Sequence, residues 1–215
     1  MSLIILISGA PGTGKSTIAG KVMERYPDLE LLSYDALKEV FWERYGFNSK
    51  EEKEEISRKS LAFFYKELDR MMKEEKNIIS EYPFYQRHRE KLKELIETYD
   101  YRCVSVLLYG DRHVIYEREK QRNRSYDRHP AHVLNCYHKE DFKEGTAVEP
   151  IVYSEEEFWK MIEHKDYSLN LGKQIDIDVT DYDKIDLNGL FECIKKMKEN
   201  SHEQADRNDR EVSAE

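Results

Sequence analysis

The run Gly9-Ala10-Pro11-Gly12-Thr13-Gly14-Lys15-Ser16-Thr17 places three glycines, a lysine and two adjacent hydroxyls at the spacing GxxxxGK[ST], which suits the binding of phosphate. Glycines let a loop curl until successive backbone N–H groups point at phosphate oxygens, and a helix N-terminus behind it adds partial positive charge. Lys15 is then expected to reach the β- and γ-phosphates, and the Ser16 hydroxyl to ligate Mg²⁺. The flanks fit, with an apolar run, Leu3 to Ile7, before the loop and Ile18, Val22 and Met23 at helical spacing after it. A nucleoside triphosphate, ATP or GTP, is the expected ligand, accompanied by Mg²⁺.

Other side chains must separate a phosphotransferase from a switch, a motor or an ATPase. Asp35 follows the second apolar strand in Leu32-Ser33-Tyr34-Asp35, where ligands of doubly wound sheets sit. It can take the proton of an acceptor hydroxyl or hold that hydroxyl in line, or else cap the next helix. Lys38, one turn on, can meet an anionic group of the acceptor or remain solvated, and Tyr34, Tyr82, Phe84 and Tyr85 are candidates for its pocket wall. Glu81 closes the third strand, where a carboxylate can hold Mg²⁺ or orient a nucleophile, or be a plain strand-end acid. In Gln86-Arg87-His88-Arg89, Arg89 is the residue expected at the substrate.

Between Arg112 and Pro130, six basic residues meet three acidic ones. Arg118 and Arg122 share a helix face, with Arg124 just beyond, and such arginines on a lid can neutralise the charge spread over a transferred phosphoryl group. Ion pairs with Glu117 and Glu119 are the alternative, and Arg122 leads the group while Arg128 is its last member. His129, His132, Cys136 and His138 crowd into ten residues, yet their spacing matches no zinc pattern and Pro130 interrupts any helix that would align them. They read as lid surface.

The elements that must carry these groups alternate along the chain. Strands are expected at Leu3 to Ile7, Glu30 to Leu32, Asn77 to Tyr82, Arg102 to Tyr109 and Lys173 to Val179. Helices fall between them, marked by Leu37, Val40 and Phe41, then by Leu61, Phe64, Leu68, Met71 and Met72 in a long segment from Ser49 to Lys76. Further helices cover Leu92 to Tyr99, Arg112 to Arg122, Glu155 to Ile162 and Ile185 to Met197. This order indicates an α/β fold with a mainly parallel sheet. Residues 1–198 read as one domain with a lid at about 112–150, and residues 199–215 as a polar tail expected to fray.

The chain has 215 residues, 39% apolar, with 44 acidic and 35 basic side chains for a net charge of -9, so it is expected to fold rather than stay disordered. That charge speaks against a nucleic-acid coat or an anionic-membrane binder, which need Lys and Arg to neutralise phosphate. Three scattered cysteines, Cys103, Cys136 and Cys193, suit a reducing compartment, and no apolar run is long enough for a leader or a membrane span. A cytoplasmic location is expected. No guanine-reading NKxD-like segment follows the fourth strand, which favours a small phosphotransferase over a GTPase switch.

GAPGTGKST at 9–17, SYDALK at 33–38, IISEYPFYQRHREKLKEL at 78–95, EREKQRNRS at 117–125 and RHPAH at 128–132 together resemble the small P-loop kinases related to polynucleotide 5′-hydroxyl kinase, zeta toxin and chloramphenicol phosphotransferase. The resemblance implies a P-loop NTPase fold with a five-stranded sheet of order 2-3-1-4-5, flanked by helices. It also implies Mg²⁺ with ATP or GTP, Asp35 as the residue that orients or deprotonates the acceptor, Lys38 where polynucleotide kinases carry Arg, and Arg118, Arg122 and Arg124 as lid arginines. Glu81 stands where many members have Asp, and Tyr82-Pro83-Phe84 replaces small polar residues. The expected function is therefore a kinase acting on a hydroxyl of a small molecule, with a polynucleotide 5′-hydroxyl kinase and a nucleotide-regulated, toxin-like interaction protein as alternatives.

Overall fold

Strand β1 (Leu3–Gly9) is buried along all seven of its residues, as an Ile-rich run flanked on both faces must be. The computed structural model describes residues 2–142, 150–151 and 153–199. β1 pairs in parallel with β3 (Ile78–Glu81) on one side and β4 (Arg102–Tyr109) on the other. β2 (Glu30–Ser33) joins β3, and β5 (Lys173–Asp178) joins β4, giving an all-parallel sheet of order 2-3-1-4-5. This is the P-loop NTPase topology that the motif resemblance implies.

Alternate residues of β1 feed two cores. Leu3, Ile5 and Ile7 face Ile18 and Val22 of α1 (Lys15–Arg25), with Leu190 and Ile194 of the last helix, residues 188–199. Ile4 and Leu6 face Phe64, Leu68 and Met72 of α3 (Lys50–Lys73) and Leu92 and Leu95 of α4 (Gln86–Thr98). Helices thus cover both faces. Each strand runs towards the same edge, so Gly9, Ser33, Glu81 and Tyr109 end close to one another, and that edge is where the chemistry-bearing residues gather.

Three expectations shift. Val40, one of the apolar residues that mark α2 (Tyr34–Tyr45), is 61% exposed, because the helix buries the face that carries Tyr34 and Trp42 instead. Ile185 precedes the last helix, where a turn at Tyr182–Lys184 and the Asp186 carboxylate, accepting from the Asn188 N–H, delay its start. The expected irregular lid is partly ordered. After α5 (Arg112–Asn123) the chain makes turns at Pro130–His132 and Lys139–Asp141 and docks on α2 and α3. Ala131 and Tyr137 share a small core with Trp42, Phe47 and Ile56, and Phe47 and Tyr137 exchange backbone hydrogen bonds of 2.8 Å. Lid positions 143–149 and 152, and the expected tail from residue 200, lie outside the described residues.

The histidines belong to this docking. His132 lies 2.7 Å from Glu39, His129 3.6 Å from Glu43, and His138 2.9 Å from the Asn48 side chain. Burial holds His132 near 4 despite the Glu39 carboxylate, so it meets Glu39 as a neutral imidazole at neutral pH. No group of His, Cys, Asp and Glu among the described residues has the geometry to hold a metal on its own.

Candidate active site

The loop between β1 and α1 is shaped by its glycines. Gly14 caps α1 with a left-handed φ of 77° and has no side chain to occupy the first-turn N–H groups, which leaves them for a ligand. A Cβ on Gly14 would stand 1.8 Å from the Tyr182 hydroxyl, and one on Gly12 would stand 2.4 Å from the Ile115 carbonyl. Gly14→Ala would therefore hold an unfavourable φ at about 1–2 kcal/mol and push the tyrosine ring away. It should lower the melting temperature and weaken nucleotide binding, measured by calorimetry and nucleotide titration; a wild-type response in both would contradict this packing.

Inside the curl, Lys15 is 6% exposed and donates to the carbonyls of Ala10 (2.9 Å) and Gly9 (3.2 Å), while the Thr13 hydroxyl donates to Ala10 (2.8 Å). A cavity of about 350 Å³ opens over this loop. Its lining joins Gly12, Gly14, Lys15, Ser16 and Thr17 with Asp35, Glu81, Arg118, Arg122 and Tyr182. Four elements, α1 with its loop, α2, β3 and α5, thus bring a cation, two carboxylates and two guanidinium groups to one space.

Asp35 does not cap α2. That role falls to Ser33, whose hydroxyl accepts from the Ala36 N–H at 3.3 Å and donates to Glu81 at 3.1 Å. Asp35 is left to face the cavity, with one oxygen 2.6 Å from Lys38. Burial works to raise its pKa, but the charge and hydrogen bond of Lys38 and the charge of Arg128, joined by His132 once acid protonates it, outweigh burial and hold it well below the usual carboxylate range. Glu81 goes the other way, raised by burial and by the Asp35 charge, with Lys15 opposing. Burial also lowers Lys15 to about 8, and the carboxylates of Glu81 and Asp35 oppose that shift.

The arginines separate. Arg118 donates to the carbonyls of Val179 and Thr180 past the end of β5, and its guanidinium lies 3.9 Å from the centre of the Tyr182 ring. It forms a flat, anchored face at the cavity mouth rather than a free finger. Arg122 lines the cavity 3.8 Å from buried Glu119. Arg124 is exposed at the end of α5 and lines no part of the cavity, because it lies past the face that Arg118 and Arg122 share. Arg128 is the nearer group, its charge felt at Asp35.

Arg89 is also exposed and lines neither this cavity nor the next, whereas Arg87, likewise exposed, stacks on Tyr85 at 4.7 Å and lines a second cavity with Tyr34 and Lys38. Sequence reading passed over Tyr182, Arg87 and Lys165. Tyr182 sits in a turn with no motif, and nothing in the local pattern marks a residue that reaches its partner across the sheet.

The description AAA domain matches residues 4–140, which span the loop, Asp35, Glu81 and the lid arginines. No curated protein matches the sequence. Among solved structures, a candidate kinase from Chloroflexus aurantiacus j-10-fl is 22% identical, covers 91% of this chain and 97% of its own, and has a TM-score of 0.72. A gluconokinase from Sinorhizobium meliloti 1021 is 14% identical, with 83% of each chain covered and a TM-score of 0.50. At such identities the likeness concerns the fold. With its phosphate loop at the head of β1, a 2-3-1-4-5 sheet and a family match over most of its length, the chain belongs to the AAA domain family and has the P-loop fold of kinases.

Proposed function

We propose that this protein is a Mg²⁺-dependent kinase that moves the γ-phosphoryl group of a nucleoside triphosphate to a hydroxyl of a small molecule. The observation that carries the reading is the single cavity joining Lys15 and Ser16 of the loop with Asp35, Glu81 and Arg122. A binding switch needs the loop; it does not need a partly buried carboxylate, held ionised, facing it.

The donor set fits Mg²⁺. The Ser16 hydroxyl and the Glu81 carboxylate are hard oxygen ligands in one space, and Glu81, raised by burial first and by the Asp35 charge second, is a carboxylate whose ionised form a divalent cation would favour. When bound, the metal would neutralise charge on the β- and γ-phosphates. Lys15 and the open N–H groups of α1 hold the triphosphate, and the face of Arg118 and Tyr182 suits a planar base. Asp35 accepts a hydrogen bond from the acceptor hydroxyl and takes its proton as the oxygen bonds to the γ-phosphorus. The bond from that phosphorus to the β–γ bridging oxygen breaks, and its electron pair leaves with the nucleoside diphosphate. Arg122 meets the charge on the transferred oxygens.

Among the described residues no helix is long and apolar enough to cross a membrane, and all three cysteines are free. Both facts suit a kinase of the cytoplasm. A panel of hydroxylated metabolites, read by release of nucleoside diphosphate, tests the function. At least one acceptor should raise turnover several-fold above its absence; equal hydrolysis with every compound would leave a nucleotide switch instead.

A further inference from the structure

Past Asp35, the face of α2 leads into a second cavity, of about 470 Å³, walled by Tyr34, Tyr82 and Tyr85. Lys38 joins the two spaces, since it lines the second while its ammonium stands 2.6 Å from Asp35 in the first. We propose that this cavity receives the acceptor and that the acceptor is a small organic anion, an alcohol whose carboxylate or phosphate lies among Lys38, Arg58, Arg87 and Lys165 while its hydroxyl meets Asp35. The proposal rests on the kinase reading and names its substrate class.

The charge distribution carries it. Four cations line the cavity against one carboxylate, Glu54, in a chain of net charge -9. Some lysines and arginines elsewhere on the surface pair with acids, as in Lys59 with Glu55, Arg70 with Glu67 and Glu74, and Lys91 with Glu94, and the described ones that do not are not gathered with three others around one cavity. Among the described residues Arg58, Arg87 and Lys165 have no such carboxylate within salt-bridge distance, and Lys38 shares Asp35 with the first cavity. Concentrating unneutralised cations is unfavourable unless an anion completes the site.

Two further observations agree. Burial, together with the charges of Arg87 and Lys38, lowers Lys165. On the other side of Lys38, in a cavity of about 360 Å³, Lys53 is held near 8 by burial and by Lys38, Arg128 and Lys50. Three of the four cations lie against the tyrosine rings of the cavity wall. Arg87 lies 4.7 Å and Lys165 5.5 Å from the Tyr85 ring centre, and Lys38 lies 5.0 Å from that of Tyr82. The volume is that of a metabolite pocket, and a polymer would need a basic channel continuing beyond it.

The test has a binding arm and a turnover arm. With the phosphate loop saturated by Mg²⁺ and a non-hydrolysable triphosphate analogue, inorganic phosphate is titrated at constant ionic strength against chloride. The melting temperature should rise with phosphate in the wild type and not in the double variant Arg87→Gln/Lys165→Gln. No rise in the wild type, or an equal rise in both, overturns the proposal.

In turnover, hydroxylated carboxylates and phosphate monoesters are compared with their neutral parent alcohols, for example α-glycerophosphate with glycerol and meta-hydroxymethylbenzoate with benzyl alcohol. The best acceptor should be an anion, and the double variant should raise its KM about 10–100-fold, the loss expected for charge-assisted contacts, with kcat changed far less. A neutral alcohol or a 5′-hydroxyl oligonucleotide as best acceptor overturns the anion proposal and keeps the kinase. No acceptor of any kind removes the kinase reading itself.

Discussion

Asp35→Asn should lower kcat about 10²–10⁴-fold, the usual contribution of a positioned proton acceptor, while nucleotide affinity stays close to wild type. Asparagine keeps the shape and one hydrogen-bonding oxygen but can neither take the proton nor attract Lys38. Nucleotide binding should survive because the loop holds the phosphates through Lys15 and backbone N–H groups, and removing a carboxylate from the cavity lessens repulsion of the triphosphate. The pH dependence follows from the two carboxylates. Asp35 lies well below the usual range and stays ionised through the neutral region, whereas Glu81, raised by burial and by Asp35, takes a proton first as pH falls. The acid limb of the kcat/KM profile, which reports the free enzyme, should therefore move in Glu81→Gln, a control for the assignment. Near-normal turnover in Asp35→Asn would remove Asp35 from the chemistry; lost nucleotide binding would make it a binding residue.

Lys15→Met should reduce kcat/KM by about 10³-fold, as removing a preorganised charge from a phosphoryl-transfer site does, and weaken nucleotide binding with it. Methionine fills similar volume, so the fold should persist. A second readout distinguishes the buried charge from packing alone. Lys15 is held near 8 against an ordinary value of 10.5, so between those values the unfolded chain binds more protons and the stability of the nucleotide-free protein should rise with pH. Below about 8 both states are protonated and the lysine adds no slope. Lys15→Met should flatten that slope in part, since Lys53, also near 8, contributes in both proteins. Bound triphosphate should flatten it too, because phosphate charge draws the Lys15 pKa back up. Urea unfolding across that window checks the sign, and an unchanged slope in the variant would mean that Lys15 is not buried as described.

Much of the fold was readable because its signals are local. A bare apolar run means a strand covered on both faces, and β4 falls on the residues its pattern marks, Arg102–Tyr109. The glycine spacing around Lys15 and Ser16 specifies a loop whose ligand is set by backbone N–H groups, so it needs no distant partner to be understood. Asp35 and Glu81 were legible by position, since strand ends of such a sheet meet at one edge.

Charge partners and orientation were not readable in this way. Arg118 and Arg122 share a helix face, yet one is fastened to the carbonyls of Val179 and Thr180 and the other stands over the cavity, a difference made by β5 packing some 60 residues downstream. Arg87 and Arg89 are chemically alike, exposed and two residues apart, but about 200° of helical rotation lays the first against the Tyr85 ring and turns the second away from the cavity. The histidines, readable only as lid surface, prove to be docking contacts, His129 and His132 with Glu43 and Glu39 of α2 and His138 with Asn48 between α2 and α3. Spacing along the chain thus specifies backbone conformation and the phosphate loop, because those depend on neighbouring residues. Which cations surround Asp35, and which are left without an acid partner, depends on Coulomb and stacking contacts across the sheet edge, and these exist only once β2, β3, α5 and the segment after β5 are packed together.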